Sequence, residues 1–311
     1  MYLLDIENVS KAYAAHQALR SVSLQVPRGS IFGLLGPNGA GKTSLIRIIT
    51  QITGADEGRI LFDGEPLAPK HIGQIGYLPE ERGLYKKMKV GEQLLYLARL
   101  KGMDQRTAES RLRHWFEKLE IQDWWKKQVE DLSKGMQQKI QFVATVLHEP
   151  HLIILDEPFS GFDPVNANLI KDEILELRER GSTIIFSTHR MESVEELCDH
   201  ITLINKSEVV LDGPKQEIKQ RYRTHTYVVE GEGDPGPLPP PFEVVDTGRT
   251  DAGHFRMTVR APGESSANAL ITALIDRVQL HGVQELIPTM NEIFIRTVGG
   301  EVSQPAPAVV Q

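Results

Sequence analysis

The sequence predicts an α/β domain that carries a phosphate-binding loop and a helical insert, followed by a small α+β domain. Three observations predict it. Runs such as Ile31-Phe32-Gly33-Leu34-Leu35, Leu152-Ile153-Ile154-Leu155 and Thr183-Ile184-Ile185-Phe186 are apolar almost throughout, as strands covered on both faces of a mainly parallel sheet must be. A glycine-rich stretch, Gly36-Pro37-Asn38-Gly39-Ala40-Gly41-Lys42-Thr43, stands between the first of these runs and the helix-like segment Ser44 to Ile49. Between Gly231 and Pro241, five prolines and three glycines fall within eleven residues, a composition with too few donors and too little apolar surface for an element.

Taken in order, Ser21 to Val26 reads as an early strand, and Val90 to Gln128 lacks any β-type run but has helical patterning, as in Gln93 to Leu100. That stretch is read as a helical insert, about 88–130, with Trp124 and Trp125 as its packing residues. After the proline-rich loop come β-like runs at Phe242 to Val245 and His254 to Val259, a helix-like run from Ser265 to Leu280, a short strand near Val283 to Ile287 and a last helical turn near Asn291 to Val298. The expected organisation is a nucleotide domain over 1–223, an accessory domain over 224–298 and a disordered tail over 299–311.

Composition narrows the function. With 35 Lys and Arg against 42 Asp and Glu, the 311-residue chain has a formal charge of −7, which argues against a nucleic-acid binder. The single cysteine, Cys198, cannot form an intrachain disulfide and is read as a buried small residue in a reducing compartment. Met1 to Glu7 lacks the basic-then-apolar order of a signal peptide. No apolar run approaches the roughly 18 residues needed to span a bilayer, so the expected location is cytoplasmic, with any membrane work done through a partner.

The chemistry sits in three clusters. Gly36 to Thr43 fits the pattern G-x-x-x-x-G-K-[ST]: its glycines let N–H groups fold round an anion, Lys42 reaches the β- and γ-phosphates, and Thr43 offers a hydroxyl to Mg²⁺. Asp156 and Glu157 end an apolar strand, where a first carboxylate holds the Mg²⁺ water shell and a second can polarise an attacking water, which implies hydrolysis rather than transfer to an acceptor. Leu132-Ser133-Lys134-Gly135-Met136-Gln137 is either an ordinary helix N-cap at Ser133 or an anion site made of a hydroxyl and exposed N–H groups. Spacing alone leaves open whether it serves its own nucleotide or another subunit's.

Across residues 1 to about 220 these clusters resemble the nucleotide-binding subunit of ATP-binding cassette (ABC) transporters, with their motifs in family order. The resemblance implies that Tyr13 stacks on adenine; that Gly36, Asn38, Gly39, Gly41, Lys42, Thr43 and Ser44 form Walker A; and that Gly76-Tyr77-Leu78-Pro79-Glu80 is the Q-loop. It likewise makes Ser133 and Gly135 the signature, Asp156 and Glu157 the end of Walker B, Ser160-Gly161-Phe162-Asp163 the D-loop and His189 the switch histidine that contacts the γ-phosphate. The implied fold is a P-loop NTPase of the ABC ATPase kind, and the implied cofactors are ATP and Mg²⁺, with Thr43, Glu80 and Asp156 around the metal.

Two motifs depart from the family pattern. Glu80 stands where glutamine is usual, and Lys134 and Met136 replace glycine and glutamine in the signature. With the C-terminal domain, these features resemble an export-type subset that includes sodium-extrusion-like cassettes. The implied partners are a second copy of the chain, closing head to tail on ATP, and a separate transmembrane permease touching roughly Glu80 to Lys127; nucleic acid is not among them. The competing reading is a soluble cassette ATPase with a regulatory role. A GTPase is hinted at by Asn205-Lys206-Ser207-Glu208, but that stretch lacks the final Asp of a guanine-reading motif.

Overall fold

The computed structural model describes residues 1–81, 83–261 and 267–299, which leaves the expected tail outside the described residues except Gly299. The chain divides into two compact units, Met1–Lys215 and Gln216–Gln311. The break expected at 223/224 lies one short helix further along the chain.

In the first unit the strands are β1 (Tyr2–Tyr13), β2 (His16–Pro27), β3 (Ile31–Leu35), β4 (Glu57–Phe62), β5 (Glu65–Pro66), β6 (Ile75–Leu78), β7 (Leu152–Asp156), β8 (Thr183–Ser187), β9 (His200–Asn205) and β10 (Glu208–Pro214). The helices are α1 (Lys42–Ile49), α2 (Val90–Leu100), α3 (Gln105–Lys118), α4 (Lys134–Val146), α5 (Pro164–Glu179), α6 (Met191–Leu197) and α7 (Lys215–Arg221), the last spanning the division.

The apolar runs became strands because they can be covered on both faces: every residue of β3, β7 and β8 is buried. They belong to a six-stranded sheet ordered β10-β9-β3-β8-β7-β6, parallel except for the β9–β10 pair. Strand β8 therefore lies between β3 and β7, and Ser187 at its end is level with Leu34 on one side and Asp156 on the other. A Cβ at Gly33 would sit 3.0 Å from Cys198 Sγ and from Ile201 Cγ2, so glycine spares these neighbours a shift of a few tenths of an ångström. Burial pushes the Cys198 thiol up to about 12, which makes it an inert packing residue.

A second, antiparallel sheet, β2-β1-β4-β5, contributes Leu4, Ile6, Val22, Leu24 and Phe62 to the core that also holds Phe32 and Leu45. The early strand expected at Ser21 to Val26 is the second half of β2. Helix α1 begins at Lys42, two residues before the expected start, because the glycine-rich loop itself turns into the helix.

The insert is helical, with α2 and α3, apart from a single bridge between Lys89 and Gln128. Half-buried Trp125 packs on its helices, its ring meeting Phe116 edge-on at 5.3 Å and lying against Gly91.

In the second unit β11 (Thr226–Glu232), β12 (Glu243–Arg249), β13 (Phe255–Arg260) and β14 (Gln279–Glu285) form an antiparallel sheet ordered β12-β13-β11-β14, with helices α8 (Ala267–Ile275) and α9 (Met290–Gly299). Its core gathers Tyr227, Val229, Phe255, Met257, Leu270 and Leu274. Three expectations need correction. Strand β11 takes in Gly231 and Glu232, so the proline-rich loop starts only at Gly233. The long helix ends at Ile275, and its expected last turn begins β14; residues 265 and 266 of that run lie outside the described residues. Gly299 closes α9 rather than opening a tail.

No helix among the described residues is long and apolar enough to cross a membrane. The packing of the insert can be tested at Gly91, where a Cβ would lie 2.4 Å from the Trp125 indole. Gly91→Ala is expected to cost about 1–3 kcal/mol, the range for overpacking; a urea midpoint equal to wild type would show that the indole yields freely.

Candidate functional site

The sheet order fixes where the site falls. The chain leaves β3, β8 and β7 on one edge, so the glycine-rich loop, the Thr188-His189 turn and the Asp156-Glu157 pair are brought side by side. His189, the Asp156-Glu157 pair and much of the loop line a cleft of about 350 Å³ together with Tyr13, His16 and Ala18 from the β1–β2 hairpin and Glu80 from the loop after β6.

The loop after β3 needs glycine twice. Gly36 has φ +148° and a Cβ there would lie 2.2 Å from the Ile204 carbonyl oxygen; Gly41 has φ +115° and its Cβ would lie 2.3 Å from that of Ala18. These conformations are strained for any other residue. Gly41 is also the N-cap of α1 and offers no side-chain cap, which leaves the first helical N–H groups facing the cleft uncapped by the protein. Asn38, Gly39, Thr43 and Ser44 line the same wall.

Lys42 bends back, its Nζ donating to the carbonyls of Gly36 at 2.7 Å and Pro37 at 3.2 Å. Burial lowers its pKa, against the pull of Asp156, Glu157 and Glu80. For Asp156 the direction is opposite. Burial raises its pKa, the Ser187 hydrogen bond opposes that, and the negative neighbours Glu80 and Glu157 push it further up against the pull of Lys42. One ammonium thus faces three carboxylates.

Glu157 sits just beyond β7 with φ +49°, held by its own N–H donating to the Ser187 carbonyl at 2.8 Å. Its carboxylate accepts from the Thr188 hydroxyl at 3.1 Å and the His189 N–H at 2.8 Å, and one oxygen lies 2.6 Å from His189 Nδ1. With Nδ1 engaged, Nε2 is the atom that the exposed imidazole can offer to another group. Tyr13 ends β1 with its ring exposed and the Lys11 ammonium 5.6 Å from the ring centre.

Ser133 and Gly135 do not line this cleft. Ser133 caps α4, its hydroxyl accepting from the Met136 N–H at 3.3 Å, and it is exposed. Gly135 packs under the loop of Ser160 to Asp163, where a Cβ would stand 3.4 Å from the Gly161 carbonyl oxygen. The same helix reaches the Glu80 loop through Gln141, whose amide donates to the Pro79 carbonyl at 3.4 Å. Sequence reading missed Thr188, His16 and Ala18. Thr188 adjoins the histidine already singled out; the other two carry no signal beyond their place beside Tyr13.

A glycine-rich loop, a strand-end carboxylate pair and a histidine turn on a parallel sheet define a nucleotide-hydrolysing cassette. Residues 19–160 match the family model described as ABC transporter, and residues 213–298 match one described as the C-terminal domain of ATP-binding protein DrrA1-3-like. The chain is 41% identical over 297 residues to the ABC transporter ATP-binding protein YhaQ of Bacillus subtilis (strain 168), covering 96% of this chain and 99% of the relative. It is 34% identical to the linearmycin resistance ATP-binding protein LnrL of the same organism, over 73% of this chain and 74% of the relative. A solved ATP-binding subunit of an ABC transporter superposes with a TM-score of 0.67 at 30% identity, covering 71% of this chain and 93% of the other. The chain belongs to the ABC transporter ATP-binding proteins, and it is an ATP-hydrolysing subunit of such a transporter.

The electrostatics of Asp156 make a stability prediction. A carboxyl whose pKa is raised by folding carries a penalty that sets in as pH rises above its unfolded value of about 3.9 and is complete above the folded one. Asp156→Asn should therefore raise the thermal midpoint of the nucleotide-free, chelator-treated chain at pH 7, with the advantage shrinking toward pH 4. A lower midpoint at pH 7 would show that the carboxylate is stabilising even without a cation.

Proposed function

We propose that two copies of this chain close head to tail round Mg²⁺-ATP and that the cycle of closing and opening drives a separate membrane permease, in the export direction. The observation that carries this reading is the division of the site. The cleft gathers Tyr13, Gly36, Asn38, Gly39, Gly41, Lys42, Thr43, Ser44, Glu80, Asp156, Glu157 and His189, or residues in contact with them, while Ser133 and Gly135 stand on an exposed helix start elsewhere. An anion-binding helix terminus without its anion is best used by a nucleotide presented by another copy.

The residues take these roles. Tyr13 offers a ring face to the base, and the loop N–H groups and Lys42 take the phosphates. Thr43, Asp156 and Glu80 supply oxygen atoms of the kind a hard divalent cation prefers, and the excess of carboxylate over ammonium in the cleft fits such a cation. When bound, Mg²⁺ neutralises charge on the β- and γ-phosphates. Glu157 orients and deprotonates the attacking water, and His189 donates toward charge developing on the γ-phosphate. Hydrolysis removes the shared anion, and the copies separate as rigid bodies.

Export is favoured by the linearmycin resistance relative, since removal of a compound from the cell is one route to resistance. The permease places the chain on the inner face of the membrane, contacting the loop of Glu80 and the insert through Lys127. A formal charge of −7 supports a protein partner over nucleic acid.

Glu157→Gln tests the reading. ATP affinity should persist, turnover should fall by at least ~10²-fold, the scale of lost general-base catalysis, and a dimer should accumulate on ATP; turnover within threefold of wild type would overturn the role of Glu157. A second prediction concerns Glu80. Glu80→Gln should raise the Mg²⁺ needed for half-maximal ATPase by about fivefold and tighten metal-free ATP binding similarly, the scale of one unit-charge interaction across 4 Å of water, about 1 kcal/mol. Superimposable Mg²⁺ titrations would remove Glu80 from the metal site.

A further inference from the structure

The second unit holds a cluster that the ATPase does not use. Its sheet packs one face against the core of Tyr227, Val229, Phe255, Met257 and Leu274, so alternate residues of the same strands point to the opposite, outer face. On β11 Tyr227 and Val229 face the core and Gly231 continues the alternation, which puts the exposed Glu232 on the outer face. The β11–β13 register pairs Gly231 with Phe255, and continuing it one step sets Glu232 opposite His254.

On the other side of β11, β14 departs from regular pairing. Gly231 pairs with Leu280 but Glu230 pairs with Gly282, leaving His281 as an extra residue in a bulge. The bulge lets Leu280 and Val283, an odd number of positions apart, both pack on the core. It also turns His281 outward beside Glu232.

Three neighbouring strands thus converge on one point. His254 Nε2 lies 3.1 Å and His281 Nε2 3.5 Å from the same oxygen of Glu232. The two imidazoles meet edge to face with centres 4.5 Å apart, and one ligand atom from each of the three side chains lies within 4.8 Å of the others. Ligand bonds of 2.0–2.2 Å in a tetrahedral site would put ligand atoms about 3.4 Å apart, a separation that the two measured distances bracket. The nearby outer-face cation, Arg256, is engaged by Glu230 at 3.3 Å, so Glu232 has the two imidazoles as its partners. Both histidines are about one-third exposed, which leaves a route for an ion and for a water at the fourth position.

We propose that Glu232, His254 and His281 form a three-ligand site for a divalent transition cation of the Zn²⁺ kind. Two nitrogens and one carboxylate oxygen suit a borderline cation rather than Mg²⁺ or Ca²⁺, which prefer all-oxygen shells. The ion would clasp β13, β11 and β14 together at one end of the sheet, fastening the bulged strand to the centre.

The test uses the untagged full chain, freed of metal with chelator and titrated with ZnCl₂ in the presence of excess MgCl₂, which occupies the oxygen-rich cleft. Wild type should bind one equivalent, and Co²⁺ in place of Zn²⁺ should give the visible bands of a tetrahedral centre. His254→Ala and His281→Ala should each weaken that binding at least about tenfold, the scale that loss of even an outer partner costs, while Glu232→Gln should weaken it too. Thermal midpoint should rise with Zn²⁺ in wild type only, and ATPase activity without Zn²⁺ should be unchanged in all three variants. Absence of a wild-type equivalent, or binding of equal stoichiometry and affinity in the double variant His254→Ala/His281→Ala, would overturn the site and leave a hydrogen-bonded His–Glu–His cluster.

Discussion

The parallel ladder of β3, β8 and β7 is the constraint from which the rest of the catalytic unit follows. Because Ser187 is level with both Leu34 and Asp156, the three loops that leave these strands begin at one height. A parallel sheet puts all such exits on one edge. A slip of one residue in β7 would invert its faces, carrying Asp156 away from Lys42 and Glu157 away from the Thr188-His189 turn. The fully apolar runs of these strands would stay apolar on both faces after such a slip, so the register that brings the reacting groups together rests on the close packing of particular side-chain shapes.

That arrangement carries an electrostatic cost that the protein alone does not relieve. Asp156 is buried with its pKa raised, and Lys42, lowered by burial, is the single ammonium among three carboxylates. Lys42 meanwhile spends its hydrogen bonds on carbonyls of its own loop. Each of these groups is better satisfied when an anion and a hard cation enter together, since the phosphates would draw Lys42 outward and the cation would offset the acids. The site is in this sense built for its ligands and not for the empty state. Under the proposed head-to-tail closure, the exposed start of α4 would tie nucleotide binding to the meeting of two chains.

What could be read from the sequence follows physical lines. Strands covered on both faces announce themselves by continuous apolar runs, so β3, β7 and β8 were legible nearly to the residue, and the glycine-rich loop was legible because Gly36 and Gly41 each occupy space closed to a Cβ. Where one face is open the signal weakens. Strand β11 alternates but runs straight into the proline-rich stretch, and its last two residues were counted with the loop. The stretch after Ile275 places Val278 and Leu280 at spacings that a helix also tolerates, so the start of β14 was read as helix. The His281 bulge is a tertiary adjustment with no local signature, and the cluster with Glu232 and His254, drawn from separate strands, was accordingly invisible. Glu80 was legible as a departure, and the resemblance already set it with Thr43 and Asp156 round the metal, but its pull on Lys42 came only from the fold.

The claim at the centre is that each ATP site is completed by the Ser133 helix of a second chain. It is tested most directly by mixing two inactive variants, Ser133→Arg, with an intact loop but a blocked helix start, and Lys42→Ala, with the reverse. A mixed dimer contains one whole site, so an equal mixture should regain up to about a quarter of the wild-type number of sites while each variant alone stays inactive. ATPase activity in the mixture no greater than the sum of its parts, with mixed dimers demonstrably formed, would contradict a shared site and return Ser133 to the ordinary work of capping its own helix.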